Sequence, residues 1–263
     1  MKGAARGIAS TIASVGVVLL AWWLFLKVFD VQPFLGKTPL DVWRFLVTGT
    51  GAGTHRAAVY HESVVTLRDA FLGLLFGSLA AVGAAVAFSA SRPVERTLMP
   101  IAMVLRSVPL VAMTPLIVLL FGRGLMAVTV IAGIVTFFPT LVNVTLALRA
   151  TPRDAIDLLR AYGASPTKTL LKVQMPSAVP SIFASLRIAA PLALVGALLS
   201  EWLATGRGLG YAILKTQALS AYDDMWARVV VATLLSIVLY KLIGAIERPV
   251  LNRYAPTFTA PRP

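Results

Sequence analysis

Cysteine does not occur in the chain, so disulfides, thiol nucleophiles and cysteine-ligated metal centres are excluded at the outset. Histidine is nearly absent too. The two present, His55 and His61, are six residues apart and do not share a helical face, so no metal site is expected. Charge is scarce, at 13% of 263 residues, and acid scarcer, with 11 Asp and Glu against 24 Lys and Arg. No Ser/His/Asp grouping, carboxylate pair or H-E-x-x-H falls in an apolar stretch, so no catalytic residue is expected. The G-x-x-x-x-G-K-[ST] phosphate loop is missing as well, and the glycines of Thr48–Gly53 lack its lysine and its helix. The chain is expected to bind no cofactor itself.

What is abundant is apolar surface. Hydrophobic residues make up 58% of the chain and mean hydropathy is +0.82, far beyond a soluble domain. Six stretches are long enough to cross the roughly 30 Å of hydrocarbon: near 8–29, 66–89, 98–121, 125–148, 179–203 and 225–246. No soluble domain is left over. The expectation is a single all-α, polytopic membrane domain over 1–263. The first run is too long for a cleaved signal peptide.

A net charge of +13 would suggest nucleic acid in a soluble protein. Here the basic residues are dispersed over the loops between spans, so nucleic acid is excluded as a partner and the charge is read as orientation. With the amino terminus inside, thirteen lysines and arginines fall on the cytoplasmic side, among them Lys2, Arg6, Arg92, Arg96, Arg149, Lys241, Arg248, Arg253 and Arg262. Six fall outside: Lys37, Arg44, Arg56, Arg123, Arg207 and Lys215. Both termini are therefore expected in the cytoplasm.

The longest polar connection on that side is Arg149–Pro176. Thr151–Pro152 with Asp154 reads as a capping box, Ser165–Pro166 as a second helix start, Gly163 as a left-handed helix end and Pro176 as a stop. Ile156, Leu159 and Tyr162 make one apolar row, with Arg153, Asp157 and Arg160 facing elsewhere. An ordered loop of this length implies a docked partner. Outside, Thr38–Pro39 with Asp41 repeats the capping-box pattern and predicts a short interfacial helix within 30–65.

Small residues mark the second span as central, because Gly73, Gly77, Ala80, Gly83, Ala84 and Ala87 let helices approach closely. Prolines mark the next three as irregular: Pro109 and Pro115, Pro139, then Pro180 and Pro191. The first and sixth spans read as plain outer helices. Intramembrane polar groups are pathway candidates by default. These are Arg106, Ser107, Asn143, Ser185, Arg187 and Glu201. Arg106 and Arg187 could instead anchor near the inner surface, Asn143 and Ser185 could bond a neighbouring helix, and Glu201 could pair with Arg207.

Gly163, nine residues, Val173, one residue, then Met175–Pro176 resembles the EAA loop of permease subunits of ATP-binding-cassette importers. Asp157–Leu158–Leu159 stands where that family has Glu-Ala-Ala, so the acid is one methylene shorter and the small residues are bulky. Leu105-Arg106-Ser107-Val108-Pro109, Pro115, Phe121-Gly122 with Gly124, Phe137-Phe138-Pro139, Pro180, Leu186-Arg187, Glu201 and Gly208-Leu209-Gly210-Tyr211 extend the resemblance to the nitrate, sulfonate and taurine branch. It covers roughly 66–248. The resemblance implies a subunit in a bacterial inner membrane, paired with a second, identical copy, two ATPases and a periplasmic or lipid-anchored binding protein. ATP and magnesium would sit on the ATPases. Docking would fall on Asp154, Ile156, Asp157, Leu158, Leu159, Arg160, Tyr162, Gly163, Ala164, Ser165 and Pro176. The solute would be small and polar or anionic: a sulfonate, nitrate, or a pyrimidine- or riboflavin-type vitamin precursor. The alternative, a secondary transporter or channel acting alone, should show internal repeats and paired intramembrane acids, and no clear repeat is visible.

Overall fold

The structure, a computed structural model, describes residues 2–254, and among these it contains helices and no strand. Side chains are described for Ser10 and from Ala13 to Asn252, so of Lys2, Arg6 and Arg253 only the backbone is described; Arg262 lies outside the described residues. In chain order the helices are α1 (Lys2–Val28), α2 (Pro39–Trp43), α3 (Ala52–Ala90), α4 (Arg92–Arg106), α5 (Leu110–Phe121), α6 (Leu125–Arg149), α7 (Arg153–Ala161), α8 (Pro166–Thr169), α9 (Met175–Ser200), α10 (Leu209–Ala218) and α11 (Tyr222–Tyr254). A wider π turn at Leu170–Gln174 joins α8 to α9 and a second at Glu201–Thr205 extends α9, giving one continuous helix, Pro166–Thr205.

Four helices, among them α3, α6 and Pro166–Thr205, are long and apolar enough to cross a membrane; α4 with α5 makes a fifth if the pair counts as one. The expected first span lies on α1, 27 residues long, whose stretch Ala13–Val28 is apolar. Three expectations need correction. The second span starts earlier, because α3 runs 39 residues, roughly 58 Å at the helical rise, and carries the end of the expected outer segment 30–65. The third is broken: α4 and α5 meet at 104°. Pro109 causes this, since it lacks an amide donor and pushes the preceding residue out of the helical region. The other prolines expected to make the spans irregular, Pro115, Pro139, Pro180 and Pro191, lie inside unbroken helices.

Pro176 does not stop its helix either. The Met175 amide reaches back five residues to the Leu170 carbonyl, and this widened turn takes up the proline so that the helix runs on into the membrane. The short outer helix, by contrast, forms as expected. Thr38 Oγ1 accepts from the Asp41 amide at 3.3 Å, while Asp41 Oδ2 accepts from the Thr38 amide at 2.9 Å and its hydroxyl at 2.6 Å. These bonds, the Thr38 hydroxyl's above all, lower the Asp41 pKa. A depressed carboxylate stabilises the fold above its unfolded pKa and loses that contribution as pH falls through the folded one. Hydrogen exchange in 38–48 should therefore speed up as pH falls below the ordinary carboxylate range, after correction for intrinsic rates, and Asp41→Asn should flatten the response.

The centre of the bundle is built where α3, α6 and α9 cross on small residues. A Cβ at Gly77 would strike the Gly133 backbone and the Thr136 hydroxyl, one at Gly73 would strike Ala132, and one at Gly196 would lie 2.8 Å from the Ala132 Cα. Thr136 Oγ1 is within bonding distance of the Gly73 carbonyl, 3.2 Å. The expected central helix is thus central. Gly83, on the same helix, has open space around it. Gly77→Leu should cost about 1–3 kcal/mol through overpacking and lower the melting temperature of the purified protein, whereas Gly83→Leu should leave it unchanged; equal behaviour of the two would contradict this packing.

Around the core, α11 packs on α9 and α3. Its amino-terminal part is held by Arg228, only 6% exposed, which donates to both Glu62 carboxylate oxygens on α3 at 2.7 and 3.0 Å and to Asp224. Trp22 of α1 stacks on Trp226 of α11 at 5.4 Å. At the opposite end Arg149 of α6 pairs with Glu95 of α4, tying the break-bearing pair to the core.

Candidate functional site

The connection between α6 and the Pro166–Thr205 helix is α7 with its flanking turns. Its start differs from the capping box expected at Thr151. Thr151 is buried and its hydroxyl donates to the Leu148 carbonyl at 3.1 Å, so it finishes α6 instead, and Pro152 stands at the cap of α7 without a side-chain bond. Asp154 still lies in the first turn and Arg160 in the last, complementing the helix dipole. The end follows expectation. Gly163 has φ of +73°, the Ala164 amide bonds the Leu159 carbonyl at 2.9 Å, and Ser165 accepts from the Lys168 amide at 3.3 Å.

No residue of α7 is buried. Ile156, Leu159 and Ala164 are half-buried, but Leu158 is 60% and Tyr162 83% exposed. The expected row Ile156–Leu159–Tyr162 is therefore split: its first two members turn toward the body while Tyr162 joins Leu158 facing outward. Asp157 and Arg160 approach to 3.6 Å with both side chains 69% exposed, a pair that adds little stability. A nine-residue helix with no fully buried residue is marginal by itself, and Leu158 and Tyr162 leave an exposed apolar pair at its surface. Pro176 is half-buried within the following helix, apart from this surface.

The six pathway candidates do not form one cluster. Arg106 and Ser107 are exposed at the α4–α5 elbow. Asn143 is half-buried on α6. Ser185 is buried, and its hydroxyl is satisfied by the Ser181 carbonyl at 2.7 Å. Arg187 points to α11, where it donates to Glu247 Oε2 at 2.9 Å and to the Tyr240 hydroxyl at 2.8 Å.

Glu201 is fully buried and does not pair with Arg207, which is exposed. Gly206 and Gly208, at φ of +67° and +88°, fold the chain back so that the backbone arrives instead. The Gly210 amide donates to Glu201 Oε2 at 2.8 Å, and the Thr66 hydroxyl of α3 lies 3.0 Å from the same oxygen. Thr66 Oγ1 also accepts from the Leu209 amide at 2.9 Å. The carboxylate occupies the space where a side chain at Gly208 would be, and the Leu198 carbonyl the space at Gly210. Glu201 and the Gly208–Gly210 turn are one device, which fastens α10 to α3.

Sequence reasoning missed the acids Asp69, Glu95 and Glu247, all buried, and the buried Arg228. Each is matched by a charge of opposite sign, Asp69 by its neighbour Arg68 at 2.7 Å and the others across helices. A complementary charge one or more helices away was the available signal. Among the described residues no group of acids and histidines could hold a metal; His55 stacks on Phe45 at 4.0 Å and His61 is exposed.

Residues 73–253 match the family described as Binding-protein-dependent transport system inner membrane component. A probable ABC transporter permease protein of Haemophilus influenzae is 32% identical over 226 residues, covering 86% of this chain and 90% of its own. The formylaminopyrimidine transport permease protein ThiX of Halalkalibacterium halodurans is 29% identical over 89% of this chain and 92% of its own. Among solved structures, an inward-facing form of the MetNI methionine ABC transporter aligns with a TM-score of 0.67 and 22% identity, over 74% of this chain and 97% of that one.

Proposed function

Because the chain belongs to the family of binding-protein-dependent transport inner membrane components and is thus a permease subunit of an ATP-binding-cassette importer, we propose that α7 is the helix an ATPase grips to drive it. The observation that carries this reading is the exposed pair Leu158 and Tyr162 on a helix and its C-cap with no fully buried residue, set between two helices long and apolar enough to cross a membrane. Family membership brings an ATPase and a substrate-binding protein as partners. The finer assembly is two ATPase chains carrying ATP and magnesium, two copies of this permease, and a binding protein delivering a small polar or anionic solute from outside. Both termini and α7 lie in the cytoplasm, with α1 the first of six spans and surrounding lipid against the outer helices.

The bundle then has two states biased by the partner's nucleotide. Force on α7 passes directly into α6 and, through Gly163 and Ser165, into the continuous Pro166–Thr205 helix, while the α4–α5 elbow supplies a joint. The solute is of the class carried by the relatives, with a heteroaromatic vitamin precursor favoured by the similarity to the formylaminopyrimidine permease.

Absence of cysteine makes the orientation test clean. A Leu158→Cys variant is the sole thiol, and a membrane-impermeant maleimide should label it in inside-out vesicles, not in right-side-out ones, with labelling suppressed when the ATPase is bound. Labelling from outside would overturn the assignment. Ligand identification on the cognate binding protein by thermal shift settles the solute class separately.

A further inference from the structure

The groove between α9 and α11 is a second polar site, distinct from α7, and it includes Arg187. It encloses about 450 Å³ and is lined by Arg187, Tyr240, Lys241, Gly244, Glu247 and Arg248, with Ala245 and Leu251 at its apolar edge. Lys241, Gly244 and Arg248 recur at helical spacing on one face of α11. Gly244 keeps the groove open: a Cβ there would already be in contact with Arg187 Nε at 3.5 Å, so any longer side chain would fill the space between the two cations.

Charge in the groove is unbalanced. Arg187 and Glu247 satisfy each other, and the guanidinium also lies 4.8 Å from the centre of the Tyr240 ring. Lys241 and Arg248 are exposed and, among the described residues, have no acidic partner. Arg187 Nε is buried with no hydrogen-bond partner. Two uncompensated cations beside an unused donor suit a phosphate-sized anion.

The position selects the source of that anion. α11 is apolar and among the least buried of the long helices, and Val238, Leu242 and Ile246, four apart in one stripe beside the groove, are 57%, 52% and 47% exposed. The groove lies in the last turns of a helix longer than the hydrocarbon needs, at headgroup depth. An anion bound here has acyl-chain surface alongside it on α11. We infer that this groove binds the phosphate headgroup of an anionic phospholipid, whose chains lie along α11.

The test uses the purified permease assembly titrated with phosphatidylglycerol or phosphatidylcholine, with bound lipids counted by native mass spectrometry. Phosphatidylglycerol should be retained preferentially. Lys241→Ala and Arg248→Ala should each weaken it about fivefold, Lys241→Arg should restore it, and Gly244→Leu should exclude it with both cations in place. Equal retention of the two lipids, or indifference to all of these changes, would overturn the inference. Displacement of the lipid by inorganic phosphate at matched concentration would overturn the lipid assignment in favour of a soluble anion. None of these readouts depends on α7, so the inference and the docking reading fail separately.

Discussion

Replacing Leu158 and Tyr162 together by aspartate is expected to strip the ATPase from the complex and abolish solute-stimulated ATP hydrolysis and uptake. Apolar and aromatic anchors at the centre of an interface commonly contribute about 2 kcal/mol or more each when truncated, roughly thirtyfold in affinity per residue. Introducing charge in place of a desolvated contact adds to that loss. The permease itself should be untouched, because both side chains are exposed and exposed substitutions usually shift stability by no more than about 0.5 kcal/mol. Unaltered melting combined with lost co-purification separates docking from unfolding. Substitution of Asp157 alone should do much less, since its pair with Arg160 is solvated on both sides. If the double variant retained its ATPase and turned over normally, α7 would not be the point of grip.

The two ends of α7 illustrate what a sequence discloses. Gly163 and Ser165 were legible because each solves a local problem, a left-handed residue or an orphan amide, whose solution uses the residue's own neighbours. Thr151 was misread because its hydroxyl had two local uses, capping α7 or finishing α6, and burial decided between them. The turn of Tyr162 away from Ile156 and Leu159 was not legible either: periodicity places residues on a face but does not say which face the rest of the bundle covers.

The same distinction holds inside the membrane. Small residues in α3 announced a close crossing, since nothing else explains glycines four apart in an apolar helix. Pro109 announced a bend but not its 104°, because Pro115, Pro139, Pro180 and Pro191 carry the same chemistry and their helices run on. Whether a proline breaks a helix depends on what can satisfy the freed carbonyl, and that is a tertiary matter. Buried charges are tertiary for the same reason. Arg187 read alone is a pathway candidate; with Glu247 and Tyr240 across from it it becomes a link between α9 and α11.

Glu201→Ala is expected to be the most damaging single change where α9 meets α10. The carboxylate takes the Gly210 amide and lies on the Thr66 hydroxyl, so its removal leaves that buried amide unpaired at about 1–3 kcal/mol, while the hydroxyl keeps the Glu62 carbonyl at 3.1 Å, and opens a void beside Gly208. Glu201→Gln keeps an oxygen for the amide and should retain most of the stability, measured as melting temperature in detergent. Two further substitutions test whether the glycines belong to the same device. Gly208→Ala and Gly210→Ala should each be severe alone, the first by collision with the carboxylate at a φ of +88°, the second by collision with the Leu198 carbonyl. Combining each with Glu201→Ala should tell them apart. Loss of the carboxylate relieves the collision at Gly208, so that pair should be less than additive; it does not move Leu198, so the clash at Gly210 persists. Because α10 is fastened through Glu201 to both α9 and α3, the surviving variants should also import more slowly than their stability alone accounts for. A Glu201→Ala chain that melted and transported like the parent would mean that α10 is held elsewhere, and the outer ends of α3 and α9 could then move independently.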